Sequence, residues 1–128
     1  MSPEDRVKSG AQALRLLLPN VSPPINPLLT SVIEFAESWP STPASNPTEP
    51  YYSRQYKMEE EYWALPEIRE SLKHDRAACL GGMAVFYEAY MAAISGGLVK
   101  RRPSGIADFD SSIWTRFAEA LSEVGVSL

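Results

Sequence analysis

A long apolar stretch in the second half of the chain dominates the pattern of hydrophobic and polar positions. From 77 to 95 nearly every residue is apolar or small, and Glu88 is the single strongly charged side chain. A helix of this composition has no face wide enough for solvent, so it must lie among other helices. We predict a central buried helix over about 76–95, with Asp75 capping its start and Gly96 ending it.

The same stretch is close to the length of about 20 residues that crosses a lipid bilayer. Glu88 near its middle would cost about 3 kcal/mol in hydrocarbon, and alanine and glycine supply less insertion energy than leucine or isoleucine. A buried helix of a water-soluble protein is therefore the favoured interpretation. No membrane partner is expected.

Three other segments show the one-sided apolar spacing of amphipathic helices. The first begins at Ser2-Pro3 and stops at Pro19, the second runs from Asn26 to Pro40, and the last follows Asp110 or Ser111 and ends at Gly125. Their apolar stripes are Val7, Ala11, Leu14, Leu17 and Leu18, then Leu28, Val32, Phe35, Ala36 and Trp39, and finally Ile113, Phe117, Ala120, Leu121 and Val124.

No strand alternation, hairpin turn or internal repeat is visible in the sequence. A chain of 128 residues also suits one domain,. The sequence therefore predicts an all-α fold: a compact bundle of about five or six helices around the central apolar helix, in a single domain over 1–128.

Two unusual segments lie between the second helix and the central one. Residues 40–50, PSTPASNPTEP, hold four prolines and are predicted to form an exposed loop,. Such a loop is either a simple connection or an extended segment laid along a partner. A helix is predicted to follow over 51–65, with a bend at Pro66 and a short helix through Lys73.

The helix over 51–65 mixes aromatic and acidic side chains. Its aromatic residues either pack on the central helix or form a binding surface, because tyrosine and tryptophan are enriched at interface hot spots. The candidate partner-binding residues are Tyr51, Tyr52, Tyr56, Tyr62 and Trp63.

The concentrated positive charge of the chain follows the central helix, at Lys100, Arg101 and Arg102. These side chains either complement the helix dipole or bind an acidic partner or phosphate. The sequence Arg101-Arg102-Pro103-Ser104 also resembles a basic-directed kinase site, a short pattern that occurs often by chance. We include the three cations among the candidate partner-binding residues.

Composition narrows the function classes. A net charge of −4 and a pI near 5.0 argue against a broad nucleic-acid-binding surface,. The lone Cys79 allows no intrachain disulfide, and the N-terminus lacks the apolar core of a secretory signal,. A cytoplasmic or otherwise intracellular location is expected.

Catalytic motifs are hard to find. The chain has one histidine, His74, which cannot supply paired metal ligands, so no metal is expected,. The sequence also lacks a glycine-rich phosphate loop, so no cofactor is expected,. The remaining possibility of an enzyme is a pocket near Glu88, lined by Tyr87, Tyr90 and Met91. Alternatively, Glu88 reaches the surface or pairs with a basic group on another helix.

The favoured hypothesis is a non-enzymatic protein–protein interaction module: an adaptor, an inhibitor or a small subunit of a complex. It would bind a protein partner through the aromatic and acidic segment 51–63 and the neighbouring proline-rich loop. One alternative is a small-ligand-binding or catalytic bundle with its pocket near Glu88. The other is a self-assembling structural protein, such as one from a virus, which would be a homo-oligomer.

Overall fold

The computed structural model of the protein describes residues 2–39, 54, 57, 58, 60–95 and 112–128. Its helices are α1 (Pro3–Leu17), α2 (Asn26–Ser38), α3 (Pro66–Ser95) and α4 (Ile113–Glu123), and a 3-10 turn, Leu18–Asn20, follows α1. Residues 54, 57, 58 and 60–64 are also helical, and the described ranges contain no strand. The fold is a compact all-α bundle around a long central helix, α3, as the sequence predicts.

The start of α1 is fixed by local hydrogen bonds. The Ser2 hydroxyl accepts from the Asp5 backbone N–H at 3.2 Å, and the Asp5 carboxylate accepts from the Ser2 backbone N–H at 3.3 Å. This reciprocal capping satisfies two N–H groups that the helix leaves unpaired. Pro19 lies in the 3-10 turn that ends α1, so both predicted limits are confirmed.

α2 packs on α3 with a face slightly different from the predicted stripe. Its buried residues are Leu29, Val32, Ile33, Phe35 and Ala36. The predicted members Leu28 and Trp39 are only partly buried. The Phe35 ring stacks on Phe86 of α3 with centroids 4.3 Å apart. This contact helps to determine which face of α2 packs on α3.

The predicted break before the central helix is wrong, because α3 is continuous for 30 residues from Pro66. Asp75 does not cap it. Its buried carboxylate instead accepts hydrogen bonds from the Ser22 N–H at 2.7 Å and the Ser22 hydroxyl at 2.5 Å. Pro66 is tolerated because the first turn of a helix has no use for its missing N–H. Asp75 therefore anchors the α1–α2 connection to the first third of α3.

Small residues allow the flanking helices to approach α3 closely. A Cβ atom added to Gly81 would lie 2.5 Å from Leu14 Cδ2 of α1 and 2.6 Å from Phe117 Cε1 of α4. These distances are far inside van der Waals contact. Glycine is the residue that lets both neighbours occupy this position, and the packing offsets its low helix propensity.

By length and composition, α3 also qualifies as a candidate membrane span over Pro66–Ile94. In this fold, however, 89% of its most apolar window is buried against other parts of the protein. The core helix of a bundle meets the same criterion, so the apolar character of α3 is accounted for by packing.

α4 carries the apolar stripe that the sequence predicts. Ile113, Phe117, Ala120 and Leu121 are buried, and the helix ends before Gly125, which has a φ of 76°. Glycine adopts this left-handed conformation without steric cost. The cap at the start of α4 is Ser112, one residue beyond the predicted choice, and its side chain makes no capping hydrogen bond.

Candidate functional site

The aromatic pair Tyr62 and Trp63 is divided between the core and the surface. Tyr62 is 7% exposed, whereas the adjacent Trp63 is 65% exposed. Successive residues of a helix point about 100° apart, so one can pack inward while its neighbour faces solvent. The two rings meet edge to face, with centroids 5.1 Å apart, and the buried tyrosine thereby supports the exposed tryptophan,.

Tyr62 ties its helical segment to both α3 and α4. Its hydroxyl donates a hydrogen bond to the Glu123 carboxylate at 2.5 Å, and the Arg76 guanidinium lies 4.9 Å from the ring centroid. The hydrogen bond to Glu123, together with burial, raises the pKa of Tyr62. The phenol therefore stays protonated and acts as a donor that fixes the position of residues 60–64.

Three side chains form what we call the Trp63 surface: Trp63, Leu65 and Arg69. Leu65 is 53% exposed, and the Arg69 guanidinium carbon lies 5.7 Å from the Trp63 ring centroid. A cation over an indole face is attracted by the ring quadrupole, with a stabilisation of about 0.5–1 kcal/mol at exposed sites. This contact limits the rotamers of Trp63 without covering the ring.

A cleft of about 380 Å³ adjoins the Trp63 surface. Its lining residues are Tyr62, Pro66, Arg69, Glu70, Lys73 and Glu123. Ligand sites in proteins typically measure about 300–1,000 Å³, so the cleft is large enough for one or two side chains of a bound molecule. Its charged groups are the cations of Arg69 and Lys73 and the carboxylates of Glu70 and Glu123. Each carboxylate makes a polar contact with another lining residue.

The first contact joins Lys73 Nζ to Glu70 Oε1 at 2.6 Å, and the second is the Tyr62–Glu123 hydrogen bond. Arg69 differs from these groups. Its Nε atom is buried and has no hydrogen-bond acceptor within the part of the chain that the structure describes. An atom without accessible surface is out of reach of a ligand, and the Nε atoms of Arg6 and Arg54 are in the same state, so this feature does not mark a binding position.

The alternative site around Glu88 has a different character. Glu88 is 2% exposed, and its Oε1 lies 2.9 Å from Nη1 of Arg6 on α1. Arg6 also lies 5.5 Å from the ring centroid of Trp114 on α4. The sequence leaves open whether Glu88 lies in a pocket, reaches the surface or pairs with a basic group on another helix. The structure shows the pair. The Arg6 side chain thus contacts both Glu88 of α3 and Trp114 of α4.

The other residues assigned to that pocket belong to the packed core or its edge. Tyr87 and Tyr90 are 7% and 3% exposed, and Met91 is partly buried against the core. Burial raises the pKa of Tyr90, so its hydroxyl stays protonated at neutral pH. An active Glu88 in this setting would require its pair with Arg6 to open first.

Cys79 is likewise a core residue. It is fully buried, and burial raises the pKa of its thiol to about 12, so it is not a nucleophile at neutral pH,. Within the described residues, no group of three or more His, Cys, Asp or Glu side chains could hold a metal ion.

Several predicted binding residues lie outside the described residues and stay predictions. They are Tyr51, Tyr52, Tyr56, Lys100, Arg101 and Arg102, together with the proline-rich loop 40–50. Leu65, Arg69, Lys73 and Glu123 were missed by sequence reasoning. Pro66 interrupts the helical register between Trp63 and Arg69, and Glu123 is 61 positions from Tyr62, so periodicity could not bring them together.

The chain matches no protein-family model, no curated protein and no solved structure. Fold and surface together define the protein as a compact all-α bundle that presents an exposed tryptophan beside a polar cleft. Arguments about its function rest on that surface.

Proposed function

We propose that this protein is a non-enzymatic protein–protein interaction module that binds its partner through the Trp63 surface. The observation that carries the proposal is the exposure of Trp63, a large side chain that is 65% accessible yet held by Tyr62 and Arg69. Tryptophan, tyrosine and arginine are the residues most enriched at interface hot spots. Segment 51–63 and the loop 40–50 would extend the same interface.

Exposure of one apolar residue is not sufficient for this proposal, because isolated apolar side chains are common on protein surfaces. Leu16 on α1 is 62% exposed and illustrates that ordinary case. Trp63 differs because the Tyr62 ring and the Arg69 guanidinium restrain it, and Arg69 also lines the neighbouring cleft. A restrained aromatic side chain also loses little conformational entropy when a partner covers it.

Other functions receive less support from the geometry. Glu88 is ion-paired with Arg6, which argues against a catalytic role for its carboxylate. The Trp63 surface could also contact a second copy of the chain. We therefore treat the adaptor, inhibitor or small-subunit role as the proposal and homo-oligomer formation as the competing outcome. A protein partner is expected, with no cofactor.

The test is affinity capture from the native host with three proteins in parallel: wild type, Trp63→Ala and Leu16→Ala. We expect a defined protein to be captured by wild type and by Leu16→Ala, and to be lost or at least about tenfold depleted with Trp63→Ala. Leu16→Ala is the matched control because it removes an equally exposed apolar side chain elsewhere. Circular dichroism should confirm that all three fold.

Equal capture by Trp63→Ala and Leu16→Ala would contradict the proposal. Sedimentation velocity on the purified proteins tests the competing outcome, which is homo-oligomer formation. A dimer that Trp63→Ala converts to monomer would assign the surface to self-association instead of a foreign partner.

A further inference from the structure

We infer that Glu123, the last residue of α4, is a positioning residue for the Trp63 surface: through the Tyr62 hydroxyl it fixes the orientation of Trp63 and so strengthens the binding of a partner. This inference deepens the proposed function and rests on it. Control of the surface then lies on a helix that is 61 positions from Tyr62 along the chain.

The helical residues 60–64 carry Trp63, and the backbone of α3 does not set their orientation. Leu65 is not helical, and α3 begins at the next residue. The ladder of helical backbone hydrogen bonds is therefore broken between Trp63 and α3. Side-chain contacts with the bundle have to set the rotation of residues 60–64.

Among the described residues between α2 and α3, the buried side chains are those of Met58 and Tyr62. Met58 packs in the apolar core, and apolar packing is not directional,. A hydrogen bond is directional and weakens steeply as its angle bends. The bond from the Tyr62 hydroxyl to Glu123, at 2.5 Å, is therefore the contact that fixes the rotation. Arg76 covers the Tyr62 ring but does not orient its hydroxyl.

The stability of α4 does not account for a carboxylate at position 123. Glu123 is exposed and ends the helix, where the helix dipole disfavours negative charge,. Its side chain lines the cleft and accepts the hydrogen bond from Tyr62. Replacement of Glu123 should therefore leave α4 intact and act on residues 60–64 through Tyr62.

The hydrogen bond is suited to transmit this control at neutral pH. The bond to Glu123, together with burial, raises the pKa of Tyr62, so the phenol keeps the proton that it donates. A carboxylate acceptor also makes the bond stronger than one between neutral groups. The Tyr62 ring then meets the Trp63 ring edge to face at 5.1 Å, and the orientation of the first ring restrains the second.

The test measures the mobility of Trp63 in the free protein, so it needs no partner. In ¹⁵N-labelled protein the three tryptophans give three indole N–H resonances, and a Trp63→Phe variant assigns that of Trp63. Relaxation of the ¹⁵N nuclei gives the order parameter of this group in wild type, Glu123→Ala, Glu123→Gln and Tyr62→Phe. Glu119→Ala is the matched control, since Glu119 is an exposed carboxylate one turn earlier on α4 and is not a lining residue of the cleft.

We expect the order parameter of the Trp63 indole to fall toward about 0.6 in Glu123→Ala, the range of flexible groups, and to keep its wild-type value in Glu119→Ala. Glu123→Gln should restore most of it, because an amide oxygen also accepts from a hydroxyl. Tyr62→Phe should reproduce the fall. Adding Glu123→Ala to Tyr62→Phe should have no further effect, because both changes remove the same hydrogen bond.

The contribution to binding is measured by affinity capture from the native host. Glu123→Ala should capture about threefold less partner than wild type, since an unrestrained tryptophan loses more conformational entropy when a partner covers it. Glu123→Gln and Glu119→Ala should capture as much as wild type. Circular dichroism should confirm that every variant folds.

An unchanged Trp63 order parameter in Glu123→Ala, an equal fall in Glu119→Ala, or additive effects of Glu123→Ala and Tyr62→Phe would each overturn the inference. Wild-type capture by Glu123→Ala would overturn it as well, since a mobile Trp63 would then bind as tightly as a restrained one. The proposed function fails on a different result, equal capture by Trp63→Ala and Leu16→Ala, so the two failures are distinguishable.

Discussion

Breaking the ion pair between Arg6 and Glu88 should destabilise the protein, and the cost should depend on which partner is removed. Arg6→Met leaves Glu88, which is 2% exposed, as a buried charge without its partner. Removal of one member of a buried pair typically costs about 3–5 kcal/mol. The Arg6 side chain is 35% exposed, so the pair is partly solvated and we expect a loss of about 2–3 kcal/mol,.

Glu88→Gln should cost less, about 1–2 kcal/mol, because the exposed part of Arg6 can hydrogen-bond to water and glutamine retains an acceptor. The double variant should be more stable than the sum of the two single losses predicts. The difference, a coupling energy of about 1–2 kcal/mol, measures the pair itself. Methionine preserves an apolar stem of similar length against Trp114, so lost packing contributes little.

Urea unfolding followed by far-ultraviolet circular dichroism gives these free energies, provided that the dependence of stability on urea is the same for all variants. Arg15→Met is the matched control, since Arg15 pairs with Glu37 on the exposed surface at 2.6 Å. A loss for Arg6→Met no larger than that for Arg15→Met would refute the argument that burial of Glu88 makes the pair important. Equal losses for Arg6→Met and Glu88→Gln would refute the predicted asymmetry.

Three further predictions follow from the core. Gly81→Ala should lower stability by about 1–2 kcal/mol in urea unfolding, because the new methyl group meets the Phe117 ring at 2.6 Å and this overpacking exceeds the gain in helix propensity,. Asp75→Ala should cost about 1–3 kcal/mol and speed hydrogen exchange of the Ser22 amide, which loses its acceptor at 2.7 Å,. The pKa of the Cys79 thiol is raised from 9.0 to about 12 in the fold, so the unfolded chain ionises first as pH rises. The stability contributed by the buried thiol is complete below pH 9.0 and is lost as the pH rises toward about 12,. In urea unfolding, wild type should therefore lose more stability than Cys79→Ala when the pH is raised from about 8 to about 10.

The fold could be predicted from the sequence because its determinants are local. The Ser2 cap, the stripe on α4 and the apolar run of α3 each lie within one helix, where spacing indicates the buried face,. The break predicted before the central helix was wrong for a non-local reason. Asp75 has the chemistry of a helix cap, but its hydrogen bonds go to Ser22, 53 positions earlier in the chain.

The candidate site was predictable only in part, for the same physical reason. Composition identified Tyr62 and Trp63 as unusual, yet it could not decide which of the two faces solvent. That decision depends on Glu123 and Arg76, whose contacts with Tyr62 come from other helices. Arg69 and Trp63 meet across the interruption of the helix at Leu65, and no periodic pattern continues across that residue.

The arrangement around Tyr62 bears on the proposed role of Trp63, because it holds the tryptophan in place. An exposed tryptophan on a mobile segment would lose conformational entropy on binding, and this loss would weaken the complex. Here the hydrogen bond from Tyr62 to Glu123 and the burial of its ring fix the adjacent residue before any partner arrives. The stability of the core and the presentation of Trp63 are therefore coupled through one side chain, and a partner that bound as we propose would meet a tryptophan that is already restrained.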